Sequence, residues 1–291
     1  MLAEAVRCDE APEEFELVLL KLRKDIASAA ATLTTREARY LVDLYYQLQG
    51  YRIATANQVR SMAAADAESN GGAHEPHTLL GFFQEQMSTV EKQLQKVLDV
   101  WSLTFRESRW ARSITGIGPV IAAGLKAHID VTRSTSVSHL WSFAGLNPTK
   151  KWEKGQRRPW NAQLKTLAVY KAGESFVKFQ NHKHDVYGRL FKQQKAVYAE
   201  RNAAGLYRAG ALEAAARVGK NTEAYKAYSQ GILPPAHIHA SARRWAVKLF
   251  LSHYWEVAYT CHTGNKPPVP YAIAHLGHVD LIPVPNWPMG E

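Results

Sequence analysis

"SITGIGPVIAAGLKAHI", residues 113–129, joins a Gly-Ile-Gly-Pro turn to a run of small and apolar residues at helical spacing. Glycine supplies the positive-φ backbone that a tight turn needs. Pro119, with its φ preset and no N–H to lose, suits the first position of a helix. The pattern predicts a helix ending near Ile114, a turn on Gly116, Ile117 and Gly118, and a second helix from Pro119, which together make a helix-hairpin-helix arrangement. Ile117 is expected to plug the core between the helices, and Ala122 and Ala123 to let them approach closely. N–H groups of the turn, lying at the positive end of the second helix, would suit a phosphate. A plain connection that merely needs glycines is the alternative this stretch leaves open.

Upstream, "TTREARYLVDLYYQLQGYRIATANQVRSM" begins with Thr34 and Glu37 at capping-box spacing. Leu41, Tyr45, Leu48, Thr55, Val59 and Met62 then follow a heptad broken at Arg52. "DAESNGGAHEPH", with Asn70, Gly71, Gly72 and Pro76, interrupts the helical pattern. After it Leu80, Phe83, Met87, Val90, Leu94, Val97 and Trp101 occupy successive a/d positions. Two long antiparallel helices are expected, burying their apolar seams against each other or against a second copy of the chain. Asp43, Asp66, Glu85 and Asp99 read most simply as solvated charges on these helices.

The fold class expected is therefore all-α. Residues 1–33 form an N-terminal segment, 34–107 a helical hairpin or coiled coil, 108–260 a compact helical domain, and 261–291 a Pro-rich tail. The tail, with "KPPVPY" and "IPVPNWP", reads as an extended strap or a loose terminus.

Composition narrows the function classes. At 46% hydrophobic and 21% charged the chain can bury a sizeable core. No apolar run is long enough to span a membrane, and Glu4, Arg7, Asp9 and Glu10 stand where a signal peptide needs an apolar core. A cytoplasmic protein is expected. Two cysteines, Cys8 and Cys261, argue against a disulfide framework or a zinc ribbon.

The net charge of +10 is concentrated. Between Lys150 and Arg201 there are thirteen Lys or Arg against four acids, so this segment holds nearly all the excess. Such a stripe, interleaved with Trp152, Trp160, Tyr170, Tyr187 and Tyr198, is the footprint expected of a polyanion partner. The alternatives are a solvated helix face for the charges and core packing for the aromatics. His pairs occur in "HKH" (182–184), "HIH" (237–239) and "HLGHVD" (275–280), but each lacks further ligands at metal-site spacing, and no metal site is expected.

The order of "SITGIGPVIAAGLKAHIDV", "HLWSFAGLNP", "NAQLKTLAVYKAG" and "HIHASARRWAVKLFLSHYW" resembles the C-terminal transposase domain of the Piv/MooV-type insertion-sequence recombinases, which are guided by a bridge RNA. The resemblance covers roughly residues 108–260. Its landmarks are the hairpin, the "AGL-x-P" turn at Ala144–Pro148, the "N-A-x-L-K" helix start at Asn161–Lys165, and the late basic helix around Arg243, Arg244 and Lys248.

It implies a DNA partner, a structured guide RNA, and nucleic-acid contacts by Gly116, Gly118, Lys150, Lys151, Lys154, Arg157, Arg158, Asn161, Lys165, Arg243, Arg244 and Lys248. Members of that family also carry a RuvC-like domain whose acids bind Mg²⁺, and a nucleophilic serine just after the "AGL-x-P" turn. Neither is found here: the segment before Thr34 is too short for the domain, and "NPTKKWEKGQRRPW" holds no serine. Thr149 is the nearest hydroxyl and a weak catalytic candidate, more hindered and still in need of a base.

The expectation is a DNA-binding protein of transposition and recombination that is not catalytic by itself, with no cofactor of its own. Mg²⁺ would enter only if a separate RuvC-like subunit supplied it, and the coiled coil could hold a homodimer. The alternative is a repurposed, non-enzymatic DNA- or RNA-binding module.

Overall fold

The computed structural model describes residues 24–70, 78–268 and 281–289. Gly71, Gly72, Pro76 and Cys8 lie outside these residues, as do His275 and His278 of the third histidine pair. Among the described residues the structure is all-α, with no strand. The short α1 (Lys24–Ala29) leads through a 3₁₀ turn, Ala30–Thr32, into α2 (Thr35–Asn70), and α3 (Thr78–Ser102) returns beside it. α4 (Arg106–Arg112), α5 (Pro119–His128) and α6 (Val137–Phe143) follow.

Next come α7 (Ala162–Lys165), a π-helical segment (Thr166–Ala172) and α8 (Gly173–Phe179), in unbroken succession. α9 (Tyr187–Ala203), α10 (Arg208–Ala215), α11 (Glu223–Ser229) and the long α12 (Pro235–Thr263) complete the order.

The helix starts are written locally. Glu37 N–H donates to Thr34 Oγ1 at 3.3 Å and Thr34 N–H to Glu37 Oε2 at 2.8 Å, so the capping box opens α2. Ser136, Asn161 and Thr222 cap α6, α7 and α11 through their side-chain oxygens. Pro119 and Pro235 occupy first positions of α5 and α12, and Gly264 ends α12 at φ 74°.

α2 and α3 run antiparallel: Trp101 Nε1 at the end of α3 donates to Leu33 O beside the start of α2, while Arg52 and Glu91 pair at mid-length, 2.6 Å apart. Arg52, which breaks the heptad, thus meets an acid across the seam, and Glu91 is buried by it. The apolar stripe of α3 is not the face turned to α2 along its whole length. Leu98 and Trp101 are buried, but Leu80 and Val90 are 37% exposed and Phe83 is 59% exposed. Leu98 and Trp101 pack with Ala38 and Val42 of α2 and with Val120, Ala123 and Ala127 of α5. A seven-residue repeat drifts around a straight helix, and only near its base does α3 have α5 as a further partner.

Two acids expected to be solvated are engaged instead: Asp43 accepts from Gln163 Nε2 at 2.7 Å, and Asp99 pairs with Arg112 at 3.2 Å. Asp66 lies where side chains are not described.

α5 is buried on two sides, which explains its small, apolar composition. Ala122, Leu125 and Ile129, which follows the helix, face the main core, while Val120, Ala123 and Ala127 face α2 and α3. At Gly124 a Cβ would stand 2.6 Å from a Leu167 methyl, so glycine sets the approach of α5 to the π segment. Ile117 is buried in the main core with Trp110, Phe176, Tyr187, Phe250 and Tyr254. Their rings meet at 5.0–6.3 Å between centroids. Of the Pro-rich tail, residues 281–289 form a strap on this core: Pro285 O accepts from Trp110 Nε1 at 2.7 Å, and Asn286 Nδ2 donates to Ser113 O at 3.1 Å.

Candidate nucleic-acid interface

The site begins where α6 stops. Gly145, at φ 66°, allows Leu146 N–H to reach Trp141 O at 2.8 Å while Gly145 N–H reaches Ser142 O at 3.1 Å. That is a Schellman ending, so the "AGL-x-P" landmark is physically a helix stop with buried Leu146 as its apolar anchor. Gly145 also makes room for Trp160, since a Cβ there would stand 2.8 Å from the Trp160 ring.

The loop that follows is closed on itself. Asn147 Oδ1 accepts from Thr149 N at 3.0 Å and from Thr149 Oγ1 at 2.8 Å, and Asn147 Nδ2 donates to Ser142 Oγ at 3.0 Å. Asn161 N–H donates to Phe143 O at 2.9 Å, tying the end of the loop to its start, and Asn161 Oδ1 caps α7 through Leu164 N–H.

Upon this frame the cations converge. Lys165 Nζ lies 4.6 Å from the centre of the Trp160 ring, Arg158 5.1 Å from that of Trp152, Lys248 5.1 Å from that of Trp141, and Arg243 5.2 Å from that of Tyr170. Arg244, exposed, holds Ser241 Oγ at 2.9 Å.

The cations also act on one another. Burial lowers the Lys165 ammonium pKa, and the charges of Arg244 and Arg158 lower it further. Burial likewise lowers that of Lys248, with Arg244 adding to the effect. Arg243 is shifted down mainly by burial and then by Arg244, though it pairs with Glu174. Five cations from two distant parts of the chain thus share one face, where Arg243 is paired with Glu174.

Lys150, Lys151, Lys154 and Arg157 stand exposed on the adjoining loop. Three further cations of the basic stretch are engaged elsewhere. Lys171 lies over the Tyr46 ring of α2, Lys178 beside Phe179, and Lys192 reaches Asn181.

Gly116 and Gly118 lie at the other end of the α7–α8 helix. Gly116 has φ 91°, its carbonyl accepts from Ser175 Oγ at 2.5 Å, and a Cβ there would stand 2.6 Å from that oxygen. Gly118 is extended, with open space where a Cβ would be. Lys165 and Ser175 are roughly 12–15 Å apart along the axis, so the twelve contacts inferred from the resemblance fall into two separate places.

The hydroxyls of Thr149, Ser142 and Ser175 are engaged: Thr149 Oγ1 donates to an amide oxygen, which is no base, Ser142 Oγ accepts from Asn147, and Ser175 Oγ donates to Gly116 O. Among the described residues there is no group of three His, Cys, Asp or Glu that could hold a metal ion. The inner acids are committed elsewhere, Glu107 to Lys126, Glu91 to Arg52 and Asp185 to the N–H groups of Gly188 and Arg189. The described residues offer no carboxylate cluster of the kind a RuvC Mg²⁺ centre uses. The described histidine pairs serve packing: His237 meets Tyr228 Oη at 2.8 Å, His239 the Phe191 ring, and His182 the Phe179 ring.

Sequence reasoning missed Trp141 and Phe143, which the "HLWSFAGL" landmark contained, and a cleft of about 780 Å³ behind Asn161. In its wall His128, held to about 4 by burial and then by Arg39, stands 3.5 Å from Asn161 Nδ2. None of the described helices is long and apolar enough to cross a membrane.

Compared with curated proteins and with solved structures, the chain matches none. A family comparison does match, over residues 108–166: from α4 through the Gly-Ile-Gly-Pro turn, α5, α6 and the closed loop to the start of the π segment. The family is described as Transposase IS116/IS110/IS902, and the likeness to its transposase domain is confined to that stretch.

Proposed function

We propose that the protein acts in DNA transposition as a nucleic-acid-binding component and does not cut or join DNA by itself. The observation that carries this is the convergence of Arg158, Lys165, Arg243, Arg244 and Lys248, in which Arg244 and Arg158 repel Lys165, Arg244 repels Lys248, and Arg243 pairs with Glu174. A phosphate backbone laid on this face removes the repulsion and releases its own counterions. Lys150, Lys151, Lys154 and Arg157 extend the track. DNA is the primary partner on this reading, and a structured guide RNA has the same backbone chemistry.

Strand transfer needs a positioned nucleophile together with a device for the transferring phosphoryl group. The basic face supplies the second. The engagement of Thr149, Ser142 and Ser175 argues against the first, so Mg²⁺ and cleavage belong to a separate RuvC-like subunit. The exposed Phe83 and Val90 of α3 suit a homodimer through the long helices, and a cytoplasmic setting accords with this function.

The test is binding of the full-length protein to duplex DNA and structured RNA over a salt series. Neutralisation of five phosphates gives a log–log slope of about −4 to −5, and Arg244→Ala reduces its magnitude by about 1. Supercoiled DNA with Mg²⁺ should remain intact. Salt-insensitive or undetectable binding would remove the reading, while cleavage abolished by Thr149→Ala would make the protein an enzyme.

A further inference from the structure

We infer that the basic face receives unpaired bases, and that its preferred partner is single-stranded or gapped nucleic acid rather than continuous duplex. This rests on the reading of the face as a polynucleotide site and specifies the kind of strand it takes.

The argument comes from the aromatics rather than from the charges. Aromatic rings at helical spacing normally vanish into a core, as Trp101, Trp110, Tyr187 and Tyr254 do, all at most 1% exposed. On the basic face two do not: Trp152 is 41% exposed and Tyr170 53% exposed.

Each is also held in place. Trp152 Nε1 donates to Gln156 O at 2.7 Å, and Arg158 lies over its ring. Tyr170 stands on the π-helical segment with Arg243 over its ring. Leaving two large rings in water forgoes their burial, and anchoring them under guanidinium groups limits the entropy that ordering would cost on binding.

A continuous duplex has no use for such rings. Its base faces are stacked internally, and it offers a protein only phosphates, sugars and base edges in the grooves. An unpaired base offers a free π-face, and aromatic rings flanked by cations along a backbone track are how single strands are held. Arg244 lies close enough to Lys165, Lys248 and Arg243 to shift them, and Arg158 to shift Lys165, so the rings and the cations belong to one surface. Exposed Trp, Tyr and Arg also suit a protein partner. The excess of cations over acids between Lys150 and Arg201, with Arg243, Arg244 and Lys248 added, favours the polyanion.

The experiment compares the full-length protein with a single-stranded DNA, a single-stranded RNA, the matching duplex, and that duplex with a single-stranded gap, all at one ionic strength. The strand and the gapped duplex should bind at least about 5-fold more tightly than the continuous duplex. Trp152→Ala and Tyr170→Ala should each weaken single-strand binding about 5- to 100-fold while changing duplex binding less than 2-fold, and Trp152→Phe should restore most of the loss. Tryptophan emission should be quenched by the single strand in the native protein and quenched less in Trp152→Phe.

Arg244→Ala should weaken every arm, since it tests charge alone. Tighter binding of either the RNA or the DNA strand identifies the source and supports the inference in both cases. If the duplex binds as tightly as the strand and the aromatic variants change nothing, the inference fails while the polyanion reading stands. Failure of every arm to bind removes both, and capture of an acidic peptide alone points to a protein partner and overturns the inference.

Discussion

The unbroken helical run from Ala162 to Phe179 ends in two different ways. At its C-terminal end Phe176 packs between Tyr187 and Phe250, Tyr187 Oη donates to His253 Nδ1 at 2.7 Å, and Ser175 closes on Gly116. His253 Nε2 in turn donates to Ile282 O at 3.0 Å, so the tail strap completes the arrangement. At the N-terminal end Lys165 lies among Arg158, Arg244 and Trp160 with no acid beside it. One end spends its interactions within the protein and carries stability. The other keeps charge and ring faces unspent, and its arrangement becomes favourable only with a partner.

The comparison can be broken or sharpened by substitution. Phe250→Ala, in the middle of the aromatic core, should cost about 3–5 kcal/mol in denaturant unfolding, and a loss below 1 kcal/mol would mean that the closed end carries little of the stability.

Acid gives the next largest effect. Burial pushes the His253 imidazole down to about 4, although its bond to Ile282 O works the other way. As the pH falls from about 6.5 to about 4 the unfolded chain takes up a proton that the folded imidazole refuses. Stability is therefore complete above pH 6.5 and declines below it, by up to about 3 kcal/mol for this residue. His128 adds in the same direction, while the raised carboxyls of Asp43, Asp185 and Glu256 oppose it toward the acid end. A denaturation midpoint that is flat from pH 7 to pH 5 would contradict this.

The two glycines of the hairpin turn should part company. Gly116→Ala places a Cβ on a positive-φ backbone and against Ser175 Oγ, costing about 1–3 kcal/mol, whereas Gly118→Ala should stay within about 0.5 kcal/mol. Loss of polynucleotide binding in a folded Gly118→Val protein would show that the turn itself approaches a phosphate.

The smallest effect on stability belongs to the open end. Arg244→Ala removes repulsion from Lys165 and Lys248 and should leave the unfolding midpoint unchanged or slightly higher while weakening polynucleotide binding. A clear loss of stability would mean that the basic face is structural after all.

Much of the fold was legible. The Thr34–Glu37 box, the Pro119 and Asn161 helix starts and the burial of Ile117, Ala122 and Ala123 are local consequences of residue type and spacing, and they appear where such chemistry puts them. The α3 stripe was read less well, because periodicity shows that a helix has an apolar face without showing what covers it. Of the site, the cationic residues were legible as charge, but not their grouping. Lys165 and Lys171 are neighbours in the basic stretch, yet one meets Arg244 and the other the Tyr46 ring.

Taken alone, the sequence determined the all-α class, the turn between α4 and α5, the concentration of positive charge after Lys150, and the absence of a serine in the loop that follows the "AGL-x-P" turn. These depend on backbone preferences and composition, which act over a few residues. Only the tertiary structure decided which aromatics are core and which stand in solvent, which hydroxyls are engaged, and that α12 brings Arg243, Arg244 and Lys248 to a loop about ninety residues earlier in the chain. Burial and mutual repulsion are properties of groups brought together across the fold, and their spacing along the chain does not encode them.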